Sequence, residues 1–197
     1  MARGFFARPT VDVAHDLLGT LVMRQEGRTR LLGRIVETEA YGGPDDLASH
    51  ARAGLTKRTA PMHGPVGHAY VYLVYGMHYC LNVVARPPEA TAGAVLIRAL
   101  EPVDGTDYMR ANRGPTADRD DRLCAGPARL TKALAIDRQL DGHDLTAGVE
   151  LWLSAGAGLR PSESVASGSR VGVAYAGEDW ASRPWRFWLA GNRSVSR

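Results

Sequence analysis

The sequence predicts an α+β fold, a single mixed domain over residues 1–197 with a largely antiparallel sheet. Three observations lead there. Strand-like segments adjoin one another without the regular helical crossovers that a doubly wound parallel sheet requires. Residues 69–85 read as two strands around a tight turn at Tyr75-Gly76-Met77-His78. A chain of 197 residues is long enough for one hydrophobic core and too short for two comfortable ones.

In chain order, Thr10 is placed to cap a helix running to about Leu18, with Val11, Ala14, Leu17 and Leu18 on one face and Gly19 ending it. Residues 31–41 form a strand, followed by the 69–85 hairpin and a strand at 94–100 ended by Glu101-Pro102. Helices follow near 107–112 and at 127–136, the second with Pro127 in its first turn. Residues 149–154, 170–175 and 185–189 read as the later strands. The least regular stretch, 42–68, holds Arg52, Lys57, Arg58 and three histidines with no acid after Asp46. It reads equally as a mobile surface segment or as a surface that meets phosphates.

Hydrophobic residues make up 45 % of the chain and charged residues 23 %, which argues against extensive disorder. No apolar run approaches the roughly 20 residues of a membrane-spanning helix. The basic N-terminus lacks the apolar stretch and cleavage site of a signal peptide. Cys80 and Cys124 form no spaced metal or redox motif, so a reducing, cytoplasmic setting is expected. The net charge of +3 barely favours a nucleic-acid partner. Only Lys57 and Lys132 are lysines, so 22 of the 24 basic residues are arginine, a skew that genomic base composition also produces.

Two segments carry chemistry. Strand alternation puts Glu37, Glu39 and Tyr41 on one face and Val36, Thr38 and Ala40 on the other. That face is either a solvated surface or one wall of a site with two carboxylates and a ring. Tyr70 and Tyr72 likewise share a face, while Tyr75 sits at the turn with Met77 beyond it. An exposed aromatic and methionine at a hairpin tip make a wedge of the kind proteins push between base steps. The plainer alternative is that tyrosines are good strand formers.

These residues also carry a resemblance. Gly33-Arg34-Ile35-Val36-Glu37-Thr38-Glu39-Ala40-Tyr41, with Gly43-Pro44 and His50, resembles the opening motif of the alkyladenine (3-methyladenine, methylpurine) DNA glycosylase family. Tyr70-Val71-Tyr72, Tyr75-Gly76-Met77, Cys80 and Asn82 are similar to that family's hairpin. The segments 95–102, 123–127 and 170–173 continue the match in order. The resemblance implies a curved sheet carrying a protruding β-hairpin and surrounded by helices. It implies a monofunctional enzyme that flips alkylated or deaminated purines (3-methyladenine, 7-methylguanine, hypoxanthine, ethenoadenine) from double-stranded DNA and hydrolyses the N-glycosidic bond.

By the same resemblance, Glu39 is the general base for the attacking water. Arg98 and the backbone carbonyl of Val171 help hold that water. Tyr41, His50 and Tyr72 wall the base, and backbone groups near Ala48 and His50 read its edge. Asn82 discriminates against guanine at the pocket floor, and Tyr75 with Met77 fills the gap in the duplex. Glu37 is expected to be structural. A bifunctional glycosylase attacks C1′ with an amine, and neither Lys57 nor Lys132 falls at a matched catalytic position. No cofactor or metal is expected, and the protein is expected to act as a monomer.

The chain departs from the family pattern at His78, in the loop 86–93, and at Arg193-Ser194, which puts the packing of the last residues in question. Two rival readings remain. His50, His63, His68 and His78 with Asp45 and Asp46 suggest a metal-dependent hydrolase, though without metal-ligand spacing. A damage-binding protein without catalysis would share the tyrosines and the basic segment. The acidic run Asp118-Arg119-Asp120-Asp121 reads as a solvated turn or the start of a helix.

Overall fold

The computed structural model describes residues 1–115, 117 and 119–196. In chain order the elements are α1 (Thr10–Asp16), β1 (Leu21–Glu26), β2 (Thr29–Tyr41), α2 (Ala60–His63), β3 (Ala69–Val74), β4 (His78–Val84), β5 (Ala94–Asp104), α3 (Thr106–Arg113), α4 (Pro127–Ala133), β6 (Leu151–Ser154), β7 (Val165–Gly168), α5 (Glu178–Ala181) and β8 (Arg186–Leu189). All strand pairs among the described residues are antiparallel, as the α+β reading expects. The sheet runs β3-β4-β5-β2-β1-β6, and β8 joins it through β2 and carries β7. No helix among the described residues is long and apolar enough to cross a membrane.

β2 organises the molecule. Its first half pairs with β1, its second half with β8, and β5 lies along nearly its whole length. Val36, Thr38 and Ala40 face the main core, where the Thr38 hydroxyl donates to the Ala14 carbonyl of α1 at 2.7 Å. The β2–β5 register slips on either side of Glu37, which pairs with Ala99 while Thr38 pairs with Ile97. Val36 and Arg98 are thus the extra residues of two adjacent irregularities. Such bulges re-aim side chains next to functional sites.

Several expectations need correction. Thr10 does not cap α1. Pro9 precedes the helix, and the Thr10 hydroxyl donates to the carbonyl of Ala85 instead. Glu101-Pro102 does not end β5: the strand runs on to Asp104, with Pro102 opposite Gly33 and Val103 as the extra residue of the register shift beside it. α4 stops at Ala133 because Ala135 turns the chain with φ 50°. Residues 170–175 are not a strand. Gly172 adopts φ 75°, a 3-10 turn starts at Ala174, and the real strand is β7.

The stretch 42–68 is a packed segment rather than a free loop. It contains a 3-10 turn at His50–Ala53 as well as α2, and Ala48, Ser49, Ala51, Thr59 and Met62 are buried. Arg86 from the loop 86–93 donates to the carbonyls of Met62 and His63, so that loop is tied to α2. In the acidic run, Asp118 lies outside the described residues, Asp120 pairs with Arg110 and Asp121 with Arg119.

Candidate active site

Glu37 and Glu39 are both 0 % exposed, which overturns the solvated-face reading. Around Glu39 three donors converge. The Val171 amide reaches Oε1 at 2.7 Å, the Tyr41 hydroxyl reaches Oε2 at 2.8 Å, and Arg98 Nη1 reaches Oε2 at 3.2 Å. This is the partner set of an acceptor-only carboxylate. Burial is the largest influence on Glu39 and raises its pKa above the ordinary value, against the pull of Arg98, the Val171 amide and Tyr41. Burial and the neighbouring Glu39 likewise push the Tyr41 phenol up, which keeps its hydroxyl a donor. An acid with a raised pKa in such a cradle is suited to accept a proton.

Beside this carboxylate opens a cavity of about 390 Å³. Tyr41, Ala48, His50, Tyr72, Tyr75, Asn82, Arg98 and Val171 all line it, so the structure brings these sequence-predicted residues together. Its walls are aromatic. His50 and Tyr72 meet edge to face with ring centroids 4.7 Å apart, and Tyr70 and Tyr72 are 5.0 Å apart. His50 Nδ1 and the Tyr70 hydroxyl lie 3.0 Å apart. Burial, reinforced by Arg58 and Arg52, pulls the His50 pKa down to about 4, so its ring is neutral near pH 7. A neutral ring attracts a cationic purine to its face, whereas an imidazolium would repel it.

Two backbone positions make further contacts. The Val171 amide is tied to Glu39, a contact beside the role expected of its carbonyl toward the water. The Ala48 backbone is already engaged, its N–H donating to Asp46 and its carbonyl accepting from the Tyr175 hydroxyl. Reading a base there needs the second lone pair of that carbonyl. Asn82 is buried and its amide donates to the carbonyl of Tyr70 at 2.9 Å, which fixes its side chain in the cavity wall.

At the hairpin tip Tyr75 is 90 % exposed and Met77 70 %. Tyr75 and Gly76 both have positive φ, and the Met77 amide closes the turn on the Val74 carbonyl. For a tyrosine that conformation costs about 1–2 kcal/mol, and it holds the ring out at the rim of the cavity.

Other residues had little local signal. Arg58 lies over the Tyr72 ring at 5.3 Å, and Arg52 over Tyr175 at 5.1 Å. The basic character of 42–68 pointed to these arginines, but not to their aromatic partners. Asp46 and Arg170 form a buried two-pronged ion pair at 2.6 and 3.0 Å, which joins the segment holding His50 to the one holding Val171. Ser194 is buried, and Ser196 reaches into the acid cluster through Glu37. Among the described residues no three His, Cys, Asp or Glu side chains group closely enough to hold a metal ion.

A family model for methylpurine-DNA glycosylase matches residues 4–193. The chain belongs to that family. Relatives of this methylpurine-DNA glycosylase family member agree over its full length. A protein of Anaeromyxobacter dehalogenans named "Putative 3-methyladenine DNA glycosylase" is 50 % identical over 198 aligned positions, covering 100 % of this chain and 85 % of its own. Proteins with the same name from Carboxydothermus hydrogenoformans and Methanocella arvoryzae are 47 % and 45 % identical, covering 100 % of this chain and 98 % and 96 % of their own.

Proposed function

We propose that this protein is a monofunctional purine DNA glycosylase that flips alkylated or deaminated purines from duplex DNA and hydrolyses their N-glycosidic bond. The observation that carries this is a fully buried Glu39, held by three donors, against an aromatic-walled cavity with Tyr75 projecting at its rim. A stacked base gives water no route to C1′, so extrusion precedes hydrolysis at a cost of a few kcal/mol. Stacking in the cavity between Tyr41, His50 and Tyr72 offsets part of that, at about 1–3 kcal/mol per stacked base.

In this reading Glu39 takes a proton from water as the water's oxygen bonds to C1′ and the purine leaves with the electrons of the C1′–N bond. Arg98 and Val171 hold the carboxylate in place. Asn82 lines the floor, Ala48 and His50 border the edge of the base, and Tyr75 and Met77 fill the vacated stack. The protein acts as a monomer on one lesion, inside the cell.

The test is to incubate the purified protein, in chelator, with methylated duplex DNA and with a duplex containing one hypoxanthine. Free base with strand breakage only after hot alkali is expected. Breakage without alkali would reject the monofunctional assignment. Lesion-dependent binding with no release would make the protein a damage binder.

Tyr75→Ala is expected to weaken binding to a lesion duplex by roughly 5- to 150-fold, the equivalent of about 1–3 kcal/mol of lost stacking. Titration of labelled duplexes checks this, and unchanged affinity would remove Tyr75 from the wedge role.

A further inference from the structure

Glu37 is fully buried, and of the three donors to Glu39 that line the cavity, Tyr41, Arg98 and Val171, it touches Arg98 alone. It accepts four hydrogen bonds. Arg98 Nε, Arg186 Nε and the Ser196 hydroxyl reach Oε1 at 2.9, 2.7 and 2.9 Å, and the Ser196 amide reaches Oε2 at 2.7 Å. The Arg98 guanidinium is thereby divided: Nε serves Glu37, Nη1 serves Glu39, and Nη2 donates to the Ser196 hydroxyl at 3.2 Å. Two carboxylates, Glu37 and Glu39, face two guanidiniums, Arg98 and Arg186, and the cluster is balanced in charge.

We infer that Glu37, clamped by Ser196 and Arg186, is a positioning residue for Glu39: it fixes the Arg98 fork and draws part of its charge away, leaving Glu39 a stronger base. This rests on Glu39 being the base of the proposed hydrolysis. The alternative arrangement, an undivided Arg98–Glu39 pair, pulls a carboxylate's pKa down by about 1–3 units. The groups facing Glu39 fix the sign. Tyr41 and Glu37 come from β2, Arg98 from β5, the Val171 amide from the 170–175 segment, and Cys80 from β4. The Cys80 thiol is pushed up to about 11 by burial and stays neutral. Glu37 is the one other carboxylate in that set. Neutralising it removes a like charge, leaves Arg98 and Arg186 opposed only by Glu39, and so lowers the basicity of Glu39.

The experiment compares wild type with Glu37→Gln and with Ser196→Ala, which keeps the Ser196 amide on Glu37. Single-turnover base release is followed against pH. In parallel, the Glu39 carboxyl is titrated by carbon-13 NMR, assigned by its disappearance in Glu39→Gln. In Glu37→Gln the acid limb and the NMR midpoint are expected to move down by about one pH unit or more. The plateau rate should fall about 10- to 100-fold, the scale of a catalytic group displaced by an ångström. Ser196→Ala should move both in the same direction by less.

A reduced rate with an unmoved or raised midpoint would overturn the inference and leave Glu37 merely structural. If Glu37→Gln does not fold, the Ser196→Ala midpoint decides. The NMR titration needs no turnover. A lowered midpoint in a protein that releases no base would therefore sink the glycosylase reading while sustaining the control of Glu39 basicity by Glu37.

Discussion

Glu39→Gln is expected to slow base release by about 10²–10⁴-fold, the usual contribution of a general base, while lesion binding stays intact. Glutamine keeps the volume and one carbonyl acceptor for the Val171 amide or the Tyr41 hydroxyl, so the cavity survives. What it loses is the ability to take a proton from water. The binding surfaces, His50, Tyr72 and Tyr75, are untouched. Single-turnover release and equilibrium binding on the same duplex separate the two effects. Normal release by the glutamine variant would refute Glu39 as the base.

The pH profile adds a sign to that prediction. Glu39 works only when ionised, and burial raises its pKa above the ordinary carboxylate range. The wild-type rate should therefore fall, as pH drops, at a higher pH than an exposed glutamate would give. Glu39→Gln should abolish that limb. Burial pushes the His50 pKa down to about 4, away from the direction in which Glu39 moves, and Glu39→Gln removes only the Glu39 limb.

Alternation alone placed Glu37, Glu39 and Tyr41 on one face, because a strand's period of two holds along 36–41. It could not decide whether that face was wet or buried. The groups that bury it stand 61, 149 and 159 residues away from Glu37, in Arg98, Arg186 and Ser196. Local sequence carries no trace of such pairings. The irregularities at Val36 and Arg98 were equally invisible, since one extra residue on each strand leaves the overall pattern of β2 and β5 in phase.

The hairpin was legible because Tyr75-Gly76 supplies a residue free to take positive φ exactly where two strand patterns meet. The strand read at 170–175 was not real, and the reason is tertiary. Val171-Gly172-Val173 alternates like a strand, but Asp46 draws Arg170 inward and Gly172 takes φ 75°. That leaves Val171 49 % exposed with its amide turned to Glu39. An arginine at the head of an apolar run gave no sign that it answered an aspartate 124 residues earlier.

That Asp46–Arg170 pair supports the second large prediction. Asp46→Asn is expected to destabilise the protein by about 3–5 kcal/mol, the usual result of leaving one partner of a buried ion pair uncompensated. For a chain of this length each kcal/mol is worth about 2–4 °C, so the melting temperature should drop by about 6–20 °C. The Arg170 side chain is wholly buried. It also donates to the carbonyls of Ala40 and Trp180 and lies 5.0 Å from the rings of Tyr41 and Trp185.

Those contacts soften the loss but cannot replace a carboxylate, and Asp46 additionally accepts from the Gly42 and Ala48 amides. Because the pair joins the wall of the cavity to the donor that orients Glu39, base release should fall even at temperatures where the variant stays folded. Thermal melts followed by single-turnover assays well below the transition separate the two losses. Replacing both partners with apolar residues should recover part of the stability, since a buried pair is worth little over a well-packed isostere. It should recover none of the rate, because Ala48, His50 and Val171 lose the link that sets their spacing. An asparagine variant that melts with the wild type would show that the two segments are held together by packing alone.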